Sequence, residues 1–314
     1  MNQKFDFDDI NLIPRYSTVD SRQECDTSVK IGNHSFKNPV IPANMESVIS
    51  EDLCKKLASN GYFYIMHRFN INNKQFIINM KKENLITSIS VGVNQDSYDL
   101  IDDLIKNKLV PDYITIDIAH GHCKKLKKML KYIKETVPEV FVIAGNVSSI
   151  EATVDLDKWG ADAIKVGIAS GSVCTTGPVT GFGSRNIQAS IVNECASVTK
   201  KYIICDGGIK SPGDITKGLV LGATMIMIGG MLSSFLDSPG KTVEIDDVKY
   251  KEFYGSASAS QSNKTSRIEG TVTLNKIKNI TIIEYMEYLS MCLQSAISYG
   301  GGKMLKDLYS VKWI

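Results

Sequence analysis

No stretch of this sequence approaches the roughly 18 uninterrupted apolar residues of a membrane-crossing helix. Its first residues, MNQKFDFDDINLIPRY, hold three acids and no apolar run of secretory length. These absences predict a cytoplasmic protein with no membrane partner. An excess of either charge is missing too: Lys and Arg number 36 against 34 Asp and Glu, a formal net charge of +2, with the signs interspersed. Such a balance predicts no nucleic-acid partner, and any phosphate would meet a local site. The seven cysteines, Cys25, Cys54, Cys123, Cys174, Cys195, Cys205 and Cys292, are odd in number and include no CxxC pair. That argues against a disulfide framework and against a zinc site. No GxGxxG follows the first apolar run, which weakens a Rossmann reading.

What is present is a soluble globular composition, 43% hydrophobic and 22% charged, in 314 residues, a length at which an α/β barrel commonly forms one domain. Short apolar, β-branched runs recur at Pro39 to Ala43, Tyr62 to Met66, Ile86 to Val93, Tyr113 to Ile118, Val140 to Ala144, Ala163 to Ile168, Tyr202 to Cys205 and Met225 to Ile228. Between them lie polar turns and segments of helical period. Glu51 to Ser59 reads as one helix, closed by Asn60-Gly61, and Ser211-Pro212-Gly213-Asp214 marks the start of another. Eight strand-and-helix units imply a parallel sheet closed on itself. The expectation is a single (β/α)8 TIM barrel over residues 1–314. After the eighth run the pattern fails, and a polar, Gly- and Ser-rich excursion over about residues 239–279 precedes a last helix near Ile280 to Ser298. An excursion of that length, on the face where barrel active sites lie, is expected to be a flap or lid.

The segments just after the strands are where chemistry belongs in a barrel. Gly207-Gly208 and Gly229-Gly230 follow the seventh and eighth runs. They fit a phosphate cradle of backbone N–H groups, or plain tight turns. Asp206 ends the seventh run, where its carboxylate could accept hydrogen bonds from a ribose diol or cap its own turn. Cys174 lies in the loop SGSVCTTGPVTGFG, beside Thr175 and Thr176. A thiol on a polar loop of the catalytic face is a candidate nucleophile, with an incidental cysteine as the alternative. His120 and His122 flank Gly121, but no third metal ligand accompanies them, so hydrogen-bonding or surface roles are expected.

A set of motifs now stands together: FDFDDINLIPRYST, IPANMESV, IMHRF, ITIDIAHGH, VIAGNVSS, ADAIKVGIASGSVCTT, CDGGIKSPGDITKGLVLGATMIMIGG, YKEFYGSASAS and ISYGGGK. Across nearly the whole chain they resemble the IMP dehydrogenase and GMP reductase family, in particular its bacterial-type reductases. The resemblance implies NADPH-dependent conversion of GMP to IMP and ammonia, in a homotetramer, with a monovalent cation such as K⁺ as a further ligand. Carried over by position, Cys174 resembles the nucleophile that attacks C2 of the purine, and Thr176 and Glu269 the pair that handles protons around the departing ammonia. Ser172, Gly207, Gly208, Gly229 and Gly230 resemble the phosphate site and Asp206 the ribose ligand. Gly255, Ser256, Ala257, Arg267 and Gly270 fall around the base. Ser21, Arg22, Arg68, Asp117, Ile118, Ala119, Ile168 and Ala169 fall on cofactor positions. Ser295, Ala296, Ile297 and Ser298 do so too, and in the family they reach the cofactor of a neighbouring subunit. The carbonyls of Ala169, Gly171 and Cys174 correspond to the cation site, although Ala169-Ser170-Gly171-Ser172 stands where the family usually reads GPGS.

Three features separate the reductase reading from a dehydrogenase one. About twenty residues lie between Met66 and Ile86, where most dehydrogenases of the family insert a regulatory domain. No Arg-Tyr pair occurs between Gly255 and Gly270, and Glu269 sits in an IEG sequence of reductase type. A non-catalytic nucleotide-binding barrel would not require Cys174, Thr176 and Glu269 together. A flavin-dependent barrel would leave the cysteine of the sixth loop unexplained.

Overall fold

The computed structural model describes residues 3–255 and 271–314. Its first strands, β1 (Val29–Ile31) and β2 (His34–Phe36), form a small hairpin. The alternating units follow: β3 (Val40–Pro42), α1 (Glu51–Ser59), α2 (Asn73–Lys82), β4 (Ser88–Val91), α3 (Gln95–Lys106), β5 (Tyr113–Asp117), α4 (Lys124–Thr136), β6 (Phe141–Val147) and α5 (Ile150–Lys158). Then come β7 (Ala163–Val166), α6 (Thr176–Thr180), α7 (Gln188–Ser197), β8 (Tyr202–Asp206), α8 (Pro212–Val220) and β9 (Met225–Ile228). The chain continues through β10 (Thr242–Ile245), β11 (Val248–Tyr254) and β12 (Val272–Lys276) to α9 (Ile282–Tyr299). Seven of these strands pair in parallel in the order β3-β9-β8-β7-β6-β5-β4. With its flanking helices the sheet makes the expected (β/α)8 barrel.

The second apolar run departs from expectation. Residues 62–66 are fully buried, yet they join the sheet only by a parallel bridge between Met66 and Ile89. The Tyr64 side chain explains the missing ladder. Its hydroxyl donates to Ile86 O at 2.7 Å and accepts from Ser88 N at 3.3 Å, so it satisfies β4-side groups that a strand would otherwise bond. Ser90 Oγ ties the same segment down through Met66 O at 2.7 Å. Between this segment and β4 there is one helix, α2, and no inserted domain.

Helix starts follow local chemistry. Ser50 Oγ accepts from Leu53 N at the start of α1, and Ser211 and Thr281 form capping boxes with Asp214 and Glu284 at α8 and α9. The β1–β2 hairpin closes one end of the barrel. Tyr113, the first residue of β5, donates to Ile31 O at 2.8 Å and meets His34 Nδ1 at 2.9 Å, with Phe63 packed 4.9 Å from its ring. The strand carboxyl ends are left for the site.

The excursion after β9 is more regular than its composition suggests. β10, β11 and β12 form an antiparallel sheet, with Thr242 opposite Lys251 and Tyr254 opposite Val272. Asp246 and Asp247 both take left-handed conformations, φ +49° and +59°, which is what a two-residue hairpin turn requires. Among the described residues no helix is long and apolar enough to cross a membrane.

Candidate active site

Cys174 lies between β7 and α6, half-buried, with its Sγ 3.3 Å from Thr176 Oγ1. The loop turns tightly just before it, where Cys174 N donates to Gly171 O at 3.2 Å. Ser170 pins the loop to the next strand by donating to Asp206 O at 2.5 Å. This packing needs a glycine after Asp206. Gly207 has φ +84°, and a Cβ there would come within 2.4 Å of Ser170 Oγ. Gly230 approaches the same loop, its Cβ direction ending 3.7 Å from Ser172 Oγ and 3.4 Å from the Phe253 ring. Ser172 thus lies beside the Gly229-Gly230 turn, Gly207 packs on Ser170, and Gly208, φ +81°, faces Gln188 and Phe7.

The β10–β12 sheet packs against the Gly229-Gly230 turn and the loop before Cys174. Phe253 of β11 is buried against Gly229 and Gly230. Ser47 Oγ donates to Tyr254 O at 2.9 Å, and Thr271 N donates to Val173 O at 3.0 Å, one residue before Cys174. Gly255 faces Val173 as well, with its Cβ direction 3.7 Å from Val173 Cγ2. Ser256, Ala257, Arg267, Glu269 and Gly270 lie outside the described residues.

At the strand ends Asp117 and Asp206 are joined by two residues that sequence reasoning missed, Lys165 and Asn146. Lys165 of β7, 3% exposed, places Nζ 2.8 Å from Asp117 Oδ1 and 2.7 Å from Asp206 Oδ2. Asn146 adds its amide, donating to Asp206 Oδ2 at 2.8 Å and to Gly167 O at 2.6 Å. Burial alone would push the Asp117 carboxyl up. Lys165 outweighs it, helped by Arg68 and Asn44, and holds the group below the usual carboxylate range. Burial would likewise lower Lys165, but Asp117 and Asp206 together hold its ammonium well above the ordinary lysine value. A lysine in the otherwise apolar strand AIKV was the available signal, because a buried cation must be paired.

The remaining expected positions fall into two groups. Ile118 is clamped at the barrel rim, its N donating to Gly145 O and its O accepting from Asn146 N, with Asp117 and Ala119 on either side. Arg68 stacks on Phe69 at 4.6 Å beside Asp117, and Ile168 O receives Ser184 N and the Ser184 hydroxyl. Ala169 adopts φ +54° in the cysteine loop. The second group sits on α9. Arg22 donates to Ser295 Oγ at 2.9 Å, and Ser21 caps the turn that carries Arg22. Ser298 lies in the last turn of that helix, after Ala296, while Ile297 is fully buried and its side chain serves the core. No hydrogen bond among the described residues joins this group to the Cys174 loop.

All seven cysteines are unpaired thiols. His122 bonds Asp155 at 2.9 Å and stacks on Trp159, a structural role. The described residues contain no cluster of three or more His, Cys, Asp or Glu able to hold a metal.

The fold and site define a (β/α)8 barrel with a half-buried cysteine on a loop packed against glycine turns, and a lysine–carboxylate network at its strand ends. The family described as the IMP dehydrogenase / GMP reductase domain matches residues 4–312, and the chain belongs to it. Among similar proteins are the GMP reductases of Albidiferax ferrireducens (50% identical, covering 99% of this chain and 95% of that one) and Mycoplasma mycoides subsp. mycoides SC (49%, covering 99% and 97%). A GMP reductase of Mesoplasma florum is 46% identical, covering 99% of this chain and 97% of its own.

Proposed function

We propose that this chain is a GMP reductase, which converts GMP, NADPH and two protons to IMP, NADP⁺ and ammonium. The observation that carries the reading is the Cys174 loop, with the thiol 3.3 Å from Thr176 Oγ1 and Ser172 beside the Gly229-Gly230 turn; Ser172, Gly207, Gly208, Gly229 and Gly230 would form a phosphate cradle there. The cradle takes the 5′-phosphate and Asp206 the ribose, which directs the purine toward the thiol.

The exocyclic amine of guanine leaves poorly, so two residue types are needed at C2. The Cys174 sulfur adds to C2, and Thr176 with Glu269 passes protons to the amine nitrogen. The C2–N bond then breaks, ammonia departs, and a thioimidate remains on Cys174. A nicotinamide cofactor, when bound, would supply the hydride that C2 accepts. The C2–S bond breaks as IMP forms, and Cys174 recovers its sulfur. Gly255, Ser256, Ala257, Arg267 and Gly270 surround the base in the same reading.

Asp117, Ile118, Ala119, Ile168, Ala169 and Arg68 would hold the nicotinamide half of the cofactor. The donor set fits: an ionised, partly exposed carboxylate for hydroxyl groups and a cation beside it for phosphate. Ser21, Arg22 and Ser295 to Ser298 would serve the cofactor of a neighbouring subunit. Exposed Tyr16, Tyr299 and Tyr309 support such an assembly, since Arg15 N bonds Tyr299 O and gathers them on the α9 side. We read the assembly as a homotetramer in the cytoplasm. A monovalent cation such as K⁺ would be held by carbonyls of Ala169, Gly171 and Cys174. Gly171 O spends one lone pair on Cys174 N and keeps the other.

The 239–279 excursion would act as a lid. Its contacts with Ser47, Val173 and the Gly229-Gly230 turn support this reading, since they join it to the residues proposed to bind substrate. Hydrogen exchange at Thr271 and along β12 is expected to slow when GMP and cofactor bind. Equal exchange with and without ligands would contradict a lid. The function itself is tested by loss of reduced-cofactor absorbance on adding GMP, with IMP and ammonia formed in equal amounts.

A further inference from the structure

Lys165 is an expensive residue where it stands. A barrel interior that needed only stability would be filled with aliphatic side chains, because desolvating an ion pair costs more than packing apolar groups. The strand register shows how the chain accommodates it. Asp117 of β5, Gly145 of β6 and Lys165 of β7 stand in one row across three strands. Gly145 carries no side chain, and a Cβ there would lie 2.7 Å from Lys165 Cβ. The gap lets the lysine stem cross β6 to reach Asp117, while its ammonium also meets Asp206 on the other side. Lys165 and Asn146 both bind Oδ2 of Asp206, so Oδ1 is engaged by neither. The two carboxylates are 16% and 20% exposed, whereas Lys165 is closed off at 3%.

On the reading of the preceding subsection, Asp206 serves the substrate ribose and Asp117 the cofactor. We propose that Lys165 is a positioning residue that holds Asp117 and Asp206 in one frame and so sets substrate and cofactor against each other. One ammonium faces two carboxylates, which leaves acceptor capacity for the hydroxyl groups of both nucleotides. The ammonium touches neither nucleotide. Its charge also keeps Asp117 ionised, together with Arg68 from the loop after residue 66 and Asn44 from the loop after β3. Without Lys165, burial would raise the Asp117 carboxyl, opposed only by Arg68 and Asn44, and a protonated acid is a poorer acceptor for the cofactor.

The test uses Lys165→Gln and Lys165→Arg in the full chain, with melting curves and separate calorimetric titrations of GMP and NADPH. Each affinity is taken as a ratio to wild type, which cancels the phosphate titration of the ligands. Lys165→Gln is expected to weaken both nucleotides by roughly tenfold or more, the NADPH ratio worsening as pH falls from about 7.5 to about 6. Lys165→Arg keeps a cation but spaces the carboxylates differently. It should show a flat pH ratio with both KM values raised and kcat at saturation nearly retained. A folded Gln variant that binds either nucleotide as wild type does overturns the proposal. If the Gln variant does not fold, the Arg variant decides, and an unchanged KM for either nucleotide is then the overturning result. Wild-type protein that fails to bind GMP contradicts the reading of the function, which is a separate outcome.

Discussion

At the scale of single residues, seven identical thiols differ by environment. Burial pushes Cys195 up to about 11 and Cys205 up to about 12, and raises Cys54 well above its ordinary value. Cys174 is half-buried on a polar loop. Because the thiolate is the reacting species, iodoacetamide at mildly alkaline pH should label Cys174 while Cys54, Cys195 and Cys205 stay unmodified in the folded protein. Saturating GMP should protect Cys174. Peptide mass spectrometry checks both, and GMP-independent labelling would separate the thiol from the substrate site. Cys174→Ala should reduce turnover to background with GMP still bound, because phosphate and ribose contacts do not use the thiol. Calorimetry showing lost binding would make Cys174 structural.

Glu269 separates the two halves of the proposed reaction. Glu269→Gln should slow GMP reduction by about 10²–10⁴-fold, as for a general acid–base group. IMP with NADP⁺ tests the other half, since it forms the thioimidate without ammonia chemistry and should still give a burst of NADPH. Loss of both together would assign Glu269 to the fold of the flap or to hydride transfer.

Among the elements, the segment 62–66 is where a side chain takes over the work of a ladder. Tyr64→Phe removes the hydroxyl, leaving Ser88 N buried and Ile86 O half-buried without that partner, so it should destabilise the barrel by about 1–3 kcal/mol. Urea unfolding at equilibrium reads this directly, and an unchanged midpoint would mean those groups find other partners. The same segment shows what the sequence does and does not reveal. Its apolar, aromatic residues mark it as a buried strand position, and the alternation with helices leads to the barrel. Nothing in the residue types says that Tyr64 substitutes for ladder bonds. The flap is the converse case: its polar composition hides a sheet whose clue is the Asp246-Asp247 pair between alternating runs. In the site, glycine pairs and a loop cysteine can be read from their order after the strands. The lysine in AIKV signals a paired cation, but its partners cannot be read, because they are 48 and 41 residues away in sequence, as 165 minus 117 and 206 minus 165, and only the strand order brings them together.

For the whole molecule, pH acts through that network. Asp117 is held low, so its contribution to stability is present above its unfolded value and lost as pH falls through the folded one. Lys165 is held high, so its contribution is complete below its unfolded value and lost only as pH rises through the folded one. The pair should therefore support the fold between about pH 5 and about pH 10. Removing Asp117 leaves Lys165 paired with Asp206 alone, so the cost should fall below the roughly 3–5 kcal/mol typical of stranding a buried charge. Thermal melts of Asp117→Asn should show the largest deficit inside that window and convergence with wild type in acid. A deficit independent of pH would mean the network contributes shape rather than charge.

The central claim concerns the direction and chemistry of one reaction. Purified protein given GMP and NADPH should oxidise the cofactor in steady state, forming IMP and ammonia in equal amounts, and given IMP and NAD⁺ should not turn over continuously. Steady reduction of NAD⁺ by IMP, or tight binding of GMP without any oxidation of NADPH, would contradict it.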